Sequence, residues 1–334
     1  MSVHSTDYPT RQRDLSMCAA SGSVPREAAD NPHTGPGSVV EGGGAETRGM
    51  LLGLAGVAIF SLTLPFTRMA VADLDPVFVA MGRAVVAALL SACWLLWKRA
   101  PLPTQKQIPP LLMVGAGCVI GFPLLTSIAM RTLPASHGAV LVGVLPLATA
   151  LMSALRGHER PSMGFWMMAL LGSALVAAFA LRQSGGTLHA ADLAIFAAVL
   201  CAGAGYAEGG RLSQQMGGEQ VIAWGLVLSL PVALPIATWQ AWTHALQLGG
   251  ASVQAWGGFA YTCVFSMFIG FFFWYRGMAL GGVSRVGQVQ LVQPFLSLLG
   301  AALVLNEKLQ TEHILFALAV IATVSAGKRF KVAR

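Results

Sequence analysis

From Gly49 to the basic C-terminal cluster the chain is a succession of apolar runs joined by a few polar residues. Ten spans are predicted, at about 49–71, 76–97, 109–130, 135–155, 163–181, 190–210, 220–242, 255–277, 283–305 and 311–327. Each is close to the ~20 residues that a helix needs to cross a hydrocarbon core. Only 10% of the residues are charged, 55% are hydrophobic and the mean hydropathy is +0.66. A soluble domain carries roughly 25% charge, so the bulk of this chain needs lipid as its solvent. Period-two alternation of polar and apolar residues is absent, which excludes a β-barrel. Helices then satisfy the backbone inside the bilayer. The expected fold class is an all-α membrane protein.

Residues 1–48 are rich in Gly, Ser, Pro and charge and lack hydrophobic periodicity, so a disordered N-terminal tail is predicted. They do not read as a signal peptide, because no apolar core precedes Met50. Of five cysteines, Cys93, Cys118, Cys201 and Cys263 fall inside spans and Cys18 in the tail, with no CxxC spacing. They read as small buried hydrophobes, and neither a metal nor a cofactor is expected. The net charge of +7 is not interleaved with aromatics, so nucleic acid is not an expected partner, whereas the lipid bilayer is.

Two stretches copy each other. Met130–Trp166 aligns without a gap on Met278–Ile314 at an offset of 148, with Ser136 on Ser284, Pro146 on Pro294, Glu159 on Glu307 and Arg160 on Lys308. Nearer the start of each half, Arg68 lies over Arg211 and Gly82 over Gly225 at an offset of 143. The chain therefore divides into two five-helix repeats, 49–182 and 190–328. Five is odd, so the second repeat enters the membrane from the opposite side and the pair is inverted. With the N-terminus inside, thirteen Lys and Arg fall on the inner side and four (Arg68, Arg131, Arg182, Lys308) on the outer. That bias predicts both termini in the cytoplasm.

Three segments carry a family likeness: VFVAMGRAVVAALL in the second span, LVGVLPLATALMSALRGHERP closing the fourth and VQPFLSLLGAALVLNEKL closing the ninth. In the last two, a proline within the span is followed by small residues and then by Gly-x-Glu-Arg or Asn-Glu-Lys. The chain resembles the EamA family of the drug/metabolite transporter superfamily over about 49–327. The resemblance implies a ten-helix inner-membrane carrier for small organic solutes such as amino acids, often an exporter. The second half departs from the first at Leu226, where the first has Arg83.

Paired helix breaks in two repeats point to a solute site. Pro65 removes a backbone donor and frees the Ser61 carbonyl. The equivalent stretch of the sixth span carries Gly203 and Gly205, and Pro146 and Pro294 break the fourth and ninth spans. Close packing by small residues is the competing reading. Glu208 is the one acid well inside a span, placed to bind a cationic group or couple a proton, or to pair with Arg211 three residues on. Tyr206 lies about 200° from it around the helix, so the two share a pocket only where the glycines unwind the turn. His137, with Arg285 as its repeat partner, is a candidate proton relay or a helix-end orienter. Arg83 is either a solute ligand or a structural ion pair. Gln290, Gln293 and Ser297 share a face, and Gln288 is near, as solute ligands or interhelical hydrogen bonders. Glu159 and Glu307 are expected to cap the helix that follows each.

These features favour a secondary transporter of a small amphipathic metabolite, with protons as the candidate coupling ion, working by alternating access. A non-transporting partner or sensor subunit is the alternative, and a homodimer is left open. No zinc pair or serine–histidine motif supports an intramembrane enzyme.

Overall fold

The structure, a computed structural model, describes residues 40–156, 160–183, 189–281, 286–287, 289–329 and 332–333. The expected tail lies outside the described residues as far as 39. From Val40 onward it is helical, so the first helix begins nine residues before the predicted span. In chain order the long helices are α1 (Val40–Ser61, resumed after Leu62 as Thr63–Ala70), α2 (Pro76–Trp97), α3 (Ile108–Ala129), α4 (Ala135–Leu155), α5 (Met163–Gln183), α6 (Ala190–Met216), α7 (Gly218–Thr243), α8 (Val253–Gly281), α9 (Gln290–Leu305) and α10 (Thr311–Arg329). Among the described residues eight are long and apolar enough to cross a membrane. The ninth and tenth expected spans are shorter apolar helices, Gln290–Leu305 and Thr311–Thr323. One two-residue antiparallel pair joins Arg160–Pro161 to Val332–Ala333.

Local chemistry sets the helix starts. Asp75 caps α2, its Oδ1 accepting from the amides of Val77 (2.8 Å) and Phe78 (3.0 Å), with Pro76 at the first helical position. Ser252 caps α8 by accepting from the Ala255 amide. A capping box of His189 and Asp192 opens α6. Asn306, in the left-handed conformation, ends α9.

Each half leans on the other. α2 packs on α7, α4 on α9 and α5 on α10, while α1 lies on α8 as α6 lies on α3. Glycine permits the last two contacts. A Cβ on Gly277 would stand 2.8 Å from the Gly53 nitrogen, and one on Gly117 would stand 2.3 Å from the Cys201 carbonyl oxygen. Backbones meet there directly, as in membrane helix pairs where small residues replace the hydrophobic drive.

Five helices carry an irregular segment, four of them at mid-length and α9 at its start. α1 breaks at Leu62, just before Pro65. α4 breaks at Gly143–Val144, before Pro146, and α9 opens with a 3₁₀ turn, Gln290–Val292, before Pro294. α3 and α8 are π-helical over Gly115–Gly121 and Thr262–Gly270, which overlie each other at the offset of 148. α6 runs unbroken through Gly203 and Gly205, contrary to expectation. These glycines admit neighbours instead: Gly203 abuts the Ala148–Thr149 backbone and Gly205 the Cys118 side chain.

Candidate functional site

The interruptions converge. A buried pocket is lined by Thr63 beside the α1 break, Cys118 in the π-segment of α3, Val142 and Leu145 on either side of the α4 break, Ser266 in the π-segment of α8, and Gln293 at the α9 junction. Arg83, Tyr206, Ser297 and the rings of Phe60, Phe122 and Phe271 complete the wall. Proline removes a backbone donor from its helix, and a π-turn shifts the helical register, so these helices depart from regular α geometry where they line the pocket. The cavity measures about 20 Å³. One water needs roughly 10–15 Å³ on that measure, so the walls close on room for one or two waters.

Polar groups are few and placed. The hydroxyls of Thr63 and Ser266 lie 2.8 Å apart. Tyr206 stands in an aromatic cluster, its ring 6.1 Å from Phe271 and 5.8 Å from Trp274. Tyr275 donates to the Gly205 carbonyl at 3.3 Å, and its oxygen lies 3.8 Å from the Cys118 sulfur. Arg83 is 1% exposed, and its Nε and Nη1 have no hydrogen-bond partner among the described residues. The expected structural ion pair for Arg83 is not found among them.

A smaller cavity of about 10 Å³ adjoins the first where the two proline breaks meet. Gln290, Gln293 and Ser297 line it together, as their spacing predicts, with Pro146 and Pro294 beside them. Gln290 is buried and its Nε2 lacks a partner among the described residues. Pro65 lies off the pocket wall, its ring against Gly300 of α9.

Other expected site residues sit at the two ends of the bundle. At one end, His137 Nε2 lies 2.7 Å from Asp192 Oδ1, both buried. His137 faces a cavity of about 660 Å³ with His189, His313 and Glu307. Glu307 caps α4, its two oxygens each accepting at 2.9 Å from the amides of Ala135 and Ser136. It therefore stabilises a helix start of the other half rather than the helix that follows it. Glu159, Arg285 and Gln288 lie outside the described residues. At the opposite end, Glu208 is 3% exposed and bridges Arg156 and Arg211 at 3.0 Å each. It turns away from the pocket that Tyr206 enters, as their angular separation requires. Arg276 and Glu219 pair nearby at 3.1 Å.

Sequence reasoning missed Thr63, Cys118, Ser266 and Asp192. Cys118 and Ser266 are related by the offset of 148, a signal available once each half is scanned for polar residues at equivalent depth. Asp192 sits in the first turn of α6, where acids are usual, and nothing local marks it as buried.

Comparison with known proteins agrees with this architecture. The model of the EamA-like transporter family matches residues 47–181 and again 189–326. A Bacillus subtilis (strain 168) protein named "Uncharacterized transporter YdeK" is 46% identical over 287 residues, covering 85% of this chain and 98% of that one. A solved crystal structure superposes with a TM-score of 0.57 at 18% identity, over 84% of this chain and 98% of that one, which speaks for the fold alone. With a family match in each half and so extensive a likeness to a named transporter, this membrane protein belongs to the EamA-like transporter family.

Proposed function

We propose that the chain is a secondary transporter of ten spans, built as two inverted five-helix repeats (49–182 and 190–328). It carries a small organic metabolite, an amino acid or similar amphipathic solute, through the central pocket by alternating access. One observation carries this reading: five helix interruptions face one pocket that is closed down to about 20 Å³, while a cavity of about 660 Å³ stands at one end of the bundle. A solute reaches such a pocket only when helices part, and discontinuous helices at a repeat interface are where transporters bind.

The charged contacts suit a rocking pair. α4 is tied to α6 at both ends, by His137–Asp192 and by Arg156–Glu208. In this reading one tie opens while the other holds. The end bearing Arg156, Arg211 and Arg276 faces the cytoplasm, in keeping with the basic excess. Both termini then lie inside the inner membrane's cytoplasmic face, and net movement is outward. Glu208, with each oxygen on an arginine, is assigned as a latch rather than the proton carrier. His137, buried against Asp192, is the side chain assigned to proton coupling in this reading.

Vesicles reconstituted with the purified protein and loaded with a mixture of labelled amino acids test this. Saturable efflux above that of empty vesicles is expected. Glu208→Gln should still fold, at a cost of about 1.5 kcal/mol for weakened charge-assisted hydrogen bonds, and should change the efflux rate severalfold. No efflux of any solute, or a Glu208→Gln rate equal to the parent's, contradicts the assignment.

A further inference from the structure

The wall of the central pocket holds one full positive charge and no acid. Arg83 sits on the eighth residue of α2, is 1% exposed, and leaves Nε and Nη1 without a partner among the described residues. A buried charge without a counter-ion is costly, and an ionisable group at membrane depth normally finds a partner or lines a pathway. No Asp or Glu lines the pocket. The buried acids among the described residues, Glu208 and Asp192, are committed elsewhere, to arginines and to His137. The remaining wall is hydroxyl, amide, thiol, aliphatic side chain and aromatic ring.

Resting on the transporter reading above, we infer that the transported solute bears a carboxylate that supplies the missing counter-ion to Arg83. The hydroxyls of Thr63, Ser266 and Tyr206 stand on the same wall, one hydrogen of the Thr63–Ser266 pair being held between those two. Guanidinium is the side chain best matched to a carboxylate, and such charge-assisted bonds are the strong ones. The body of the solute is apolar and lies against Phe60, Phe122 and Phe271. A solute with an ammonium group and no carboxylate finds no counter-charge there, so carboxylates, amino acids among them, are preferred over amines and neutral amides of the same shape. This also gives a reason why the second half carries Leu226 at the position equivalent to Arg83: one anion needs one arginine.

The test is a set of matched probes on the full-length protein in detergent: monocarboxylates from acetate to phenylacetate, each beside its amide and the corresponding amine. Binding is read from the rise in thermal unfolding midpoint, since a ligand of the folded state stabilises by mass action. At least one carboxylate should bind tenfold or more tightly than its amide, and its amine should give no shift. Arg83→Gln should abolish that preference, while Arg83→Lys should retain part of it. Should either variant fail to fold, competition among the carboxylate, amide and amine on the parent protein still decides. The inference is overturned by equal binding of carboxylate and amide, by preference for amines, by stabilisation from no carboxylate, or by a preference that survives Arg83→Gln. Efflux of the same probes from vesicles separates this from the transport reading. Efflux of amines or amides without carboxylates leaves transport standing and rejects the anion. Carboxylate binding with no efflux does the reverse.

Discussion

Tyr206 and Glu208 lie two residues apart on α6 and serve different ends, because a helix turns them to opposite sides. Tyr206 enters the pocket and Glu208 bridges two arginines. Burial alone thus does not assign a site; pairing does, and Arg83 is a buried charge whose Nε and Nη1 have no partner among the described residues. Asp73 shows the opposite case at the surface. Its carboxylate accepts from the hydroxyl and the amide of Ser252, tying the α1–α2 joint to the start of α8. Those two bonds, the hydroxyl first, hold its carboxyl below the ordinary value. A carboxylate depressed by folding adds stability that is fully present above the unfolded value, roughly 4, and is lost as pH falls through the lower folded value. Asp73→Asn should therefore lower the unfolding midpoint at pH 7, with the gap to the parent closing as the pH falls below that value. A gap of constant size from pH 7 to pH 3 would count against the pairing.

The helices themselves divide into broken and unbroken. Pro65, Pro146 and Pro294 mark three interruptions, since proline cannot continue the hydrogen-bond ladder of a preceding helix turn, whereas Pro231 and Pro235 sit inside α7 without breaking it. The π-segments of α3 and α8 carry no such mark. They pack against α6 and α2 respectively, and the glycines of α3 read equally well as ordinary close-contact positions. Gly203 and Gly205 misled for the complementary reason: glycine permits a break but does not compel one, and here it admits Cys118 and the α4 backbone. A Cβ on Gly205 would lie 2.4 Å from the Cys118 sulfur, whereas one on Gly117 would meet the Cys201 carbonyl. Gly205→Ala should then cost about 1–3 kcal/mol by overpacking, and Cys118→Ala should relieve much of it. Gly117→Ala should be as costly or more, with no relief from Cys118→Ala. Thermal unfolding of the three single variants and the two doubles checks the pattern.

In the assembled bundle, the membrane class was legible because it rests on long averages: apolar run length and charge scarcity. Arg83, Tyr206 and Gln293 were found for the same reason, as polar groups in apolar spans. His137–Asp192 and Glu307 on the α4 start were not, since their partners stand 55 and about 170 residues away and only the folded chain brings them together. The central claim is that one pocket opens in turn to both sides of the membrane. Native Cys118 lines that pocket and reports on it directly once Cys18, Cys93, Cys201 and Cys263 are replaced. A membrane-impermeant thiol reagent applied to either side of oriented vesicles should label Cys118 from both. Glu208→Gln should raise the rate from the side bearing Arg156 and Arg211. Labelling from a single side under every condition, or from neither, would contradict the account.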